Sequence, residues 1–173
     1  MCTGHCLMYL ILLIQGFMGP EGSKENPTYK EVCEGTSGHV EVFHFTYKGG
    51  EEMYEQIVRF FFQFHDPTTL NRQRNDKGTQ YASVIYCQDA KQIAIASRVR
   101  EELQALLDAG LSCYDESTVK TAILPATIFY PAHDEHQEYL SKNPKGYCNH
   151  RVRFPEWPCH TGDVTDIQRT AQA

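Results

Sequence analysis

The sequence predicts an α+β fold, and three observations carry that prediction. Residues 38–47, GHVEVFHFTY, are rich in β-branched and aromatic side chains, the composition of a strand. Tyr54, Ile57, Val58, Phe61 and Phe62 recur at the spacing of a core-facing helical stripe. A second stripe, Ile93, Ala96, Val99, Leu103, Leu106 and Leu107, marks another helix. Helices packed on a small mixed sheet accommodate that order, and 173 residues suffice for a single domain with its own core.

The elements follow in chain order. Leu7–Ile14 is an apolar run too short to span a bilayer, and it reads as a buried strand. A signal-peptide core is the other reading; no Lys or Arg precedes the run and no small-x-small site follows it. Gly16–Lys24 is rich in Gly, Pro and Ser and reads as a loop. Gly38–Tyr47 is apolar on both faces, as in a central strand covered on both sides. The helix after it begins with glutamates, which suit a helix N-terminus, and stops at Pro67. Thr68–Gln80 is polar and reads as a long functional loop. A strand over Tyr81–Cys87, a helix over Asp89–Asp108 stopped by Gly110, and a strand over Thr118–Leu124 come next. A short helix over Ala132–Lys142 ends at Asn143-Pro144, and the chain from Cys148 onward reads as irregular. No internal repeat or interdomain linker interrupts the sequence.

Charge and cysteine content narrow the function. A net charge of −6 argues against nucleic-acid binding, which needs clustered Lys and Arg to neutralise phosphates. No membrane span is expected. The seven cysteines, Cys2, Cys6, Cys33, Cys87, Cys113, Cys148 and Cys159, are odd in number and form no CxxC, so thiol chemistry in a reducing, cytoplasmic setting fits better than structural disulfides. His133, Asp134, His136, Cys148, His150, Cys159 and His160 crowd the C-terminal part without the paired spacing of a zinc site, and no metal is expected.

The chemistry centres on Glu41, placed between Val40 and Val42 in an apolar strand. If the carboxyl is removed from water there, desolvation raises its pKa and prepares it as a general acid near neutral pH. A glutamate at a strand end, pointing into water, is the ordinary alternative. Tyr29 in the Asn-Pro-Thr-Tyr turn, and Asp76 and Tyr81 in NDKGTQY, are polar groups that would serve a developing oxygen charge if they converge on Glu41. Spacing alone does not establish that convergence.

Four blocks, NPTYKEVCEGTSGHVEV, HDPTTLNRQRNDKGTQYASVIY, ILPATIFYPAHDEHQEYL and KNPKGYC, closely resemble the A-type peptide methionine sulfoxide reductases. They run in family order over about residues 16–148, leaving a divergent start at 1–15 and a tail at 149–173 within one domain. The resemblance implies a ferredoxin-like two-layer sandwich. It implies reduction of the S-epimer of methionine sulfoxide, free or in proteins, by a cysteine thiolate. Glu41 matches the family's general acid, and Tyr29, Asp76 and Tyr81 match the groups that hold the sulfoxide oxygen. Cys148 matches the resolving cysteine and Cys159 is the candidate relay. Thioredoxin or dithiothreitol is the implied reductant through thiol–disulfide exchange, with no bound cofactor and a monomeric protein.

The chain also departs from the family. The family's nucleophile lies in a Gly-Cys-Phe-Trp-Gly block, which these residues do not contain; GFMG at Gly16–Gly19 aligns instead with a later loop. The expectation is that the family's first strand and first helix are missing and that the nucleophile is unassigned. Cys2 and Cys6 do not match its placement. The sheet should then expose an edge and apolar surface. Arg74 stands where the family usually has glycine, Ala82 where it has arginine, and Glu135 where it has tyrosine. Two functions follow: a methionine sulfoxide reductase, with this chain's own turnover in doubt, or a non-catalytic relative that binds oxidised methionine or a protein partner.

Overall fold

A computed structural model describes residues 10–111, 113–146, 151–154 and 156–157. In chain order the elements are strand β1 (Leu10–Met18), helix α1 (Tyr29–Cys33), strand β2 (Val40–Tyr47), helix α2 (Glu51–Phe64) and the two-residue strands β3 (Arg72–Gln73) and β4 (Asp76–Lys77). A 3-10 turn (Thr79–Tyr81), strand β5 (Val84–Cys87), helix α3 (Ala90–Asp108), strands β6 (Ala122–Pro125) and β7 (Tyr130–Pro131) and helix α4 (Tyr139–Lys142) complete the described order. The α+β class agrees with the sequence reading.

The sheet is divided into pieces. β1 pairs antiparallel with both β2 and β7, whereas β5 pairs parallel with β6. Several boundaries differ from expectation. β1 continues through Gly16, Phe17 and Met18, so the predicted loop begins only at Gly19. Glycine is admitted into this strand because the Phe129 ring and the Tyr130 carbonyl fill the space where a Cβ would project. β2 pairs on one edge, with β1, rather than standing centrally, and Phe43 on it is 55% exposed. The Asn-Pro-Thr-Tyr stretch runs into helix α1, and the predicted helix over Ala132–Lys142 is helical only at Tyr139–Lys142.

Opposed residues of an antiparallel pair share a face. Leu13, Gln15 and Phe17 of β1 therefore lie on the same face as Phe45, Phe43 and Glu41 of β2. Leu13 and Phe43 are more than half exposed on it, in agreement with the expected open apolar surface. Phe17, directly opposite Glu41, is buried with Val32 and Ala132.

The main core lies between α2 and α3. Tyr54, Val58 and Phe62 of α2 meet Ala96, Val99 and Leu103 of α3, with Cys87 and Phe154. Burial of Phe62 and Leu103, both fully enclosed, stabilises by roughly 1.5–3 kcal/mol each. α3 starts on an Asp89 side chain that accepts from the Gln92 N–H. It stops as predicted at Gly110, whose φ of 106° is reached without a Cβ penalty; the Gly110 and Leu111 N–H groups close the helix onto Leu107 and Leu106.

Candidate active site

Helix α1 positions the first functional side chain. Thr28 caps it, accepting from the Glu31 N–H, while the Glu31 carboxylate accepts from the Thr28 N–H at 2.9 Å. The Lys24 ammonium first, then the Thr28 N–H and hydroxyl that donate to the Glu31 carboxylate, hold that carboxyl down at about 2. At the other end the Gly35 and Thr36 N–H groups bond the Val32 and Glu31 carbonyls, and Gly35 takes the left-handed φ of 69° that this closure requires. A five-residue helix fixed at both ends thus presents Tyr29 from its first position.

Tyr29 stands against the end of β1 and the turn after β7. Its ring lies 6.1 Å from that of Phe17 and stacks on His136 at 4.5 Å with 25° between planes. Gln137 secures this turn to β1. Its carboxamide accepts from the Gln15 N–H at 2.9 Å and donates to the Gln15 and Ala132 carbonyls at 2.7 and 2.9 Å. Gln15, Gly16, Phe17, Tyr29, Glu41, Ala132 and His136 enclose a recess of about 30 Å³, room for a single small polar group.

Electrostatics tie the remaining groups to this recess. Burial raises the Glu41 pKa above the ordinary carboxylate value, and the neighbouring Asp76 charge adds to the rise. The Glu41 side chain is nevertheless exposed by surface area. The two descriptions fit a carboxyl crowded by protein while one side of it meets water, and the direction of the shift is the part that matters for chemistry. Tyr29 is pushed up to about 12, first by a hydrogen bond shared with the Cys33 thiol, then by burial, then by the Cys33, Glu41 and Tyr81 charges. Tyr81 is raised by burial, then by Glu41, Asp76 and Cys33. Both phenols therefore stay neutral, able to donate, across the physiological range.

Glu41 of β2 thus interacts electrostatically with Tyr29 of α1, Tyr81 of the 3-10 turn and Asp76 of β4. Cys148 and Cys159 lie outside the described residues, as do Cys2 and Cys6. Two members were not anticipated as site residues. Cys33 lies one helical turn after Tyr29, a spacing that was visible in the sequence. His136 approaches from more than a hundred residues away, with no local signal. Among the described residues no group of three or more His, Cys, Asp or Glu side chains is arranged to hold a metal ion, and no helix is long and apolar enough to cross a membrane.

A larger cavity, about 240 Å³, opens elsewhere, between Tyr47, Glu51, Tyr54 and the start of α3. Its polar groups are engaged: Lys91 pairs with Glu51 at 2.7 Å, Asp89 caps α3, and the Tyr54 hydroxyl meets the Cys87 sulfur at 3.4 Å. The candidate site residues lie at the smaller recess, which Tyr29 and Glu41 line.

Comparison with known proteins identifies relatives of the chain. The sequence profile of the family described as "Peptide methionine sulfoxide reductase" matches residues 11–159. The chain is 47% identical over 134 residues to the peptide methionine sulfoxide reductase MsrA of Salmonella arizonae, covering 77% of this chain and 60% of that protein. It is 44% identical over 133 residues to the mitochondrial peptide methionine sulfoxide reductase of Mus musculus, covering 77% of this chain and 54% of that one. The chain thus spans about 60% of the length of the first curated relatives it matches. The crystal structure of Mxr1 from Saccharomyces cerevisiae in reduced form superposes with a TM-score of 0.73 at 31% identity, over 88% of this chain and 86% of that one. With the profile running over most of its length, the chain belongs to the peptide methionine sulfoxide reductase family.

Proposed function

We propose that the recess beside Glu41 receives the oxygen of methionine S-sulfoxide, free or in a protein, and that Glu41 is the acid that protonates it. The observation that carries this reading is the convergence of one carboxyl of raised pKa with two neutral phenols. Tyr29 and Tyr81 donate to the sulfoxide oxygen, while burial, with repulsion from Asp76 added to it, favours the protonated form of Glu41. A thiolate attacks the sulfoxide sulfur as the Glu41 proton passes to the oxygen. The sulfide departs and the thiol becomes a sulfenic acid. A second thiol, Cys148 in this reading, converts it to a disulfide with release of water; Cys159 relays the disulfide to thioredoxin, or dithiothreitol reduces it directly.

A second reading, a sulfoxide-binding protein without turnover of its own, is favoured by one observation: the 173 residues contain no Gly-Cys-Phe-Trp-Gly block. A single experiment addresses both. The purified chain is titrated with a methionine S-sulfoxide peptide, and conversion is followed by mass with dithiothreitol present. Both readings expect saturable binding of the S-epimer, weakened in Tyr29→Phe and Glu41→Gln; conversion no faster than in Glu41→Gln overturns turnover by this chain. Equal binding of the parent methionine peptide overturns the oxygen site. Conversion well above the Glu41→Gln level overturns the binding-only reading, and its loss in Cys33→Ser would assign the attack to the thiol that shares a bond with Tyr29.

A further inference from the structure

Gln80 is the residue before Tyr81, yet its side chain turns inward and is only 6% exposed. Its Nε2 donates to the carbonyl of Cys33 at 2.8 Å, across 47 positions of sequence. That carbonyl is at the last residue of α1, where the helix supplies no partner of its own. One side-chain bond therefore joins the element that opens with Tyr29 to the turn that closes with Tyr81.

Two glycines make the junction possible. Gly78, at φ 144°, has no Cβ; one built there would lie within 2.8 Å of Gln80 Nε2 and would displace the carboxamide. Gly35, at φ 69°, leaves room for the Thr79 hydroxyl, which a Cβ would meet at 2.8 Å. The orientation of the amide has a physical cause as well. Turned over, it would set oxygen against the Cys33 carbonyl oxygen. In the orientation found, the buried Gln80 Oε1 has no hydrogen-bond partner among the described residues. An unsatisfied buried acceptor costs about 1–3 kcal/mol, which a methionine or leucine filling the same space would not incur. Filling space is thus a poor reason for glutamine here; the bond to Cys33 is a better one.

We propose that Gln80 is a positioning residue that fixes the separation of Tyr29 and Tyr81, and hence the grip on a sulfoxide oxygen. The proposal rests on the reading of these two phenols as oxygen donors given above.

The test combines NMR of the full chain with affinity measurements. In the wild-type protein the Gln80 side-chain amide protons should exchange slowly with solvent and show a coupling across the bond to the Cys33 carbonyl. In Gln80→Met, which keeps length and removes the donor, the ring resonances of Tyr29 and Tyr81 should move, while those of Tyr54 and Tyr114 in the main core stay. Affinity for a methionine S-sulfoxide peptide should fall roughly five- to tenfold, the scale of one hydrogen bond. In a Tyr29→Phe background the same substitution should change affinity less than twofold, because a residue acting through Tyr29 has nothing left to position. Fast exchange of the wild-type amide, or unmoved Tyr29 and Tyr81 resonances in Gln80→Met, overturns the positioning role. If the wild-type chain binds no S-sulfoxide, the oxygen-site reading falls and the role stated for Gln80 falls with it. The resonances then show separately whether Gln80 ties the two elements.

Discussion

At the scale of single residues, the strand glutamate had a consequence that reached beyond its neighbours. Val40 and Val42 marked Glu41 as a carboxyl in an apolar setting, and its pKa is indeed raised, by burial and then by Asp76. A folded-state pKa above the unfolded one means that Glu41 adds stability only when protonated. Its contribution is therefore most favourable at low pH and is lost as pH rises from the unfolded value through the raised folded value. Glu41→Gln, which cannot ionise, is expected to melt at a higher temperature than wild type at pH 8, with the difference closing by pH 4. Thermal melts at the two pH values check this; a lower melting temperature at pH 8 would contradict it. Arg74 offers a second residue-scale test. It occupies the left-handed region at φ 53° in the turn between β3 and β4, at the position where glycine was expected. Relief of that backbone cost, net of the greater freedom of the unfolded glycine, should make Arg74→Gly more stable by about 0.5–1 kcal/mol in urea unfolding. Convergence itself was not legible. Tyr29, Asp76 and Tyr81 could be named from their blocks, but Cys33 and His136 entered only through folding: the first by one turn of a helix that had been read as a simple turn, the second by a stack that Gln137 anchors to β1.

At the scale of elements, periodicity identified the long helices and failed on the short ones, for a physical reason. α2 and α3 have enough turns to repeat an apolar stripe, and Tyr54, Val58 and Phe62, like Val99 and Leu103, are buried as their spacing required. α1 has five residues and only Val32 buried, so no stripe exists to be seen. Its signal is the cap: a Thr followed three residues later by Glu, then glycine beyond the C-terminal end. Residues 132–138 fail in the other direction. Their polarity resembles an amphipathic helix, but the Gln137 carboxamide bonds the backbone of β1 and holds the segment in successive turns, with Glu138 at φ 52°. Because α1 depends on its caps, Thr28→Ala should cost about 1 kcal/mol of stability and, unlike a substitution in the main core, should also displace the Tyr29 ring. Urea unfolding and the Tyr29–His136 ring contacts seen by NMR check the two parts. Lost stability with unchanged ring contacts would show that α1 does not set the position of Tyr29.

At the scale of the whole molecule, the described part of the stretch expected to be irregular, residues 151–154 and 156–157, has no helix or strand and yet packs against the fold. Residues 151–154 lie against the end of α2: the Arg151 and Arg153 N–H groups donate to the Phe64 and Gln63 carbonyls, and Gln63 Nε2 donates to the Phe154 carbonyl. Phe154 is buried in the main core, and the Trp157 ring lies 5.6 Å from it, tilted by 51°, while the Arg59 guanidinium lies 4.9 Å over the Trp157 ring. The central tie is ionic. Arg153 Nη1 lies 3.3 Å from Asp66 Oδ2, both side chains almost fully enclosed. Asp66 also accepts from the Thr68 N–H and hydroxyl, at 3.0 and 2.6 Å, and from the Asp115 N–H at 3.1 Å. One carboxylate thereby collects the loop after α2, the segment before β6 and the returning tail. Removing one member of such a pair leaves the other charge buried and uncompensated, which typically costs about 3–5 kcal/mol, more than the pair itself contributes. Arg153→Met should therefore lower the urea midpoint strongly, whereas Arg153→Met combined with Asp66→Asn should recover part of the loss, because the buried charge is then gone. Equal losses in the single and double variants would mean that the Thr68 and Asp115 donors already compensate the Asp66 charge and that Arg153→Met destabilises by lost packing instead.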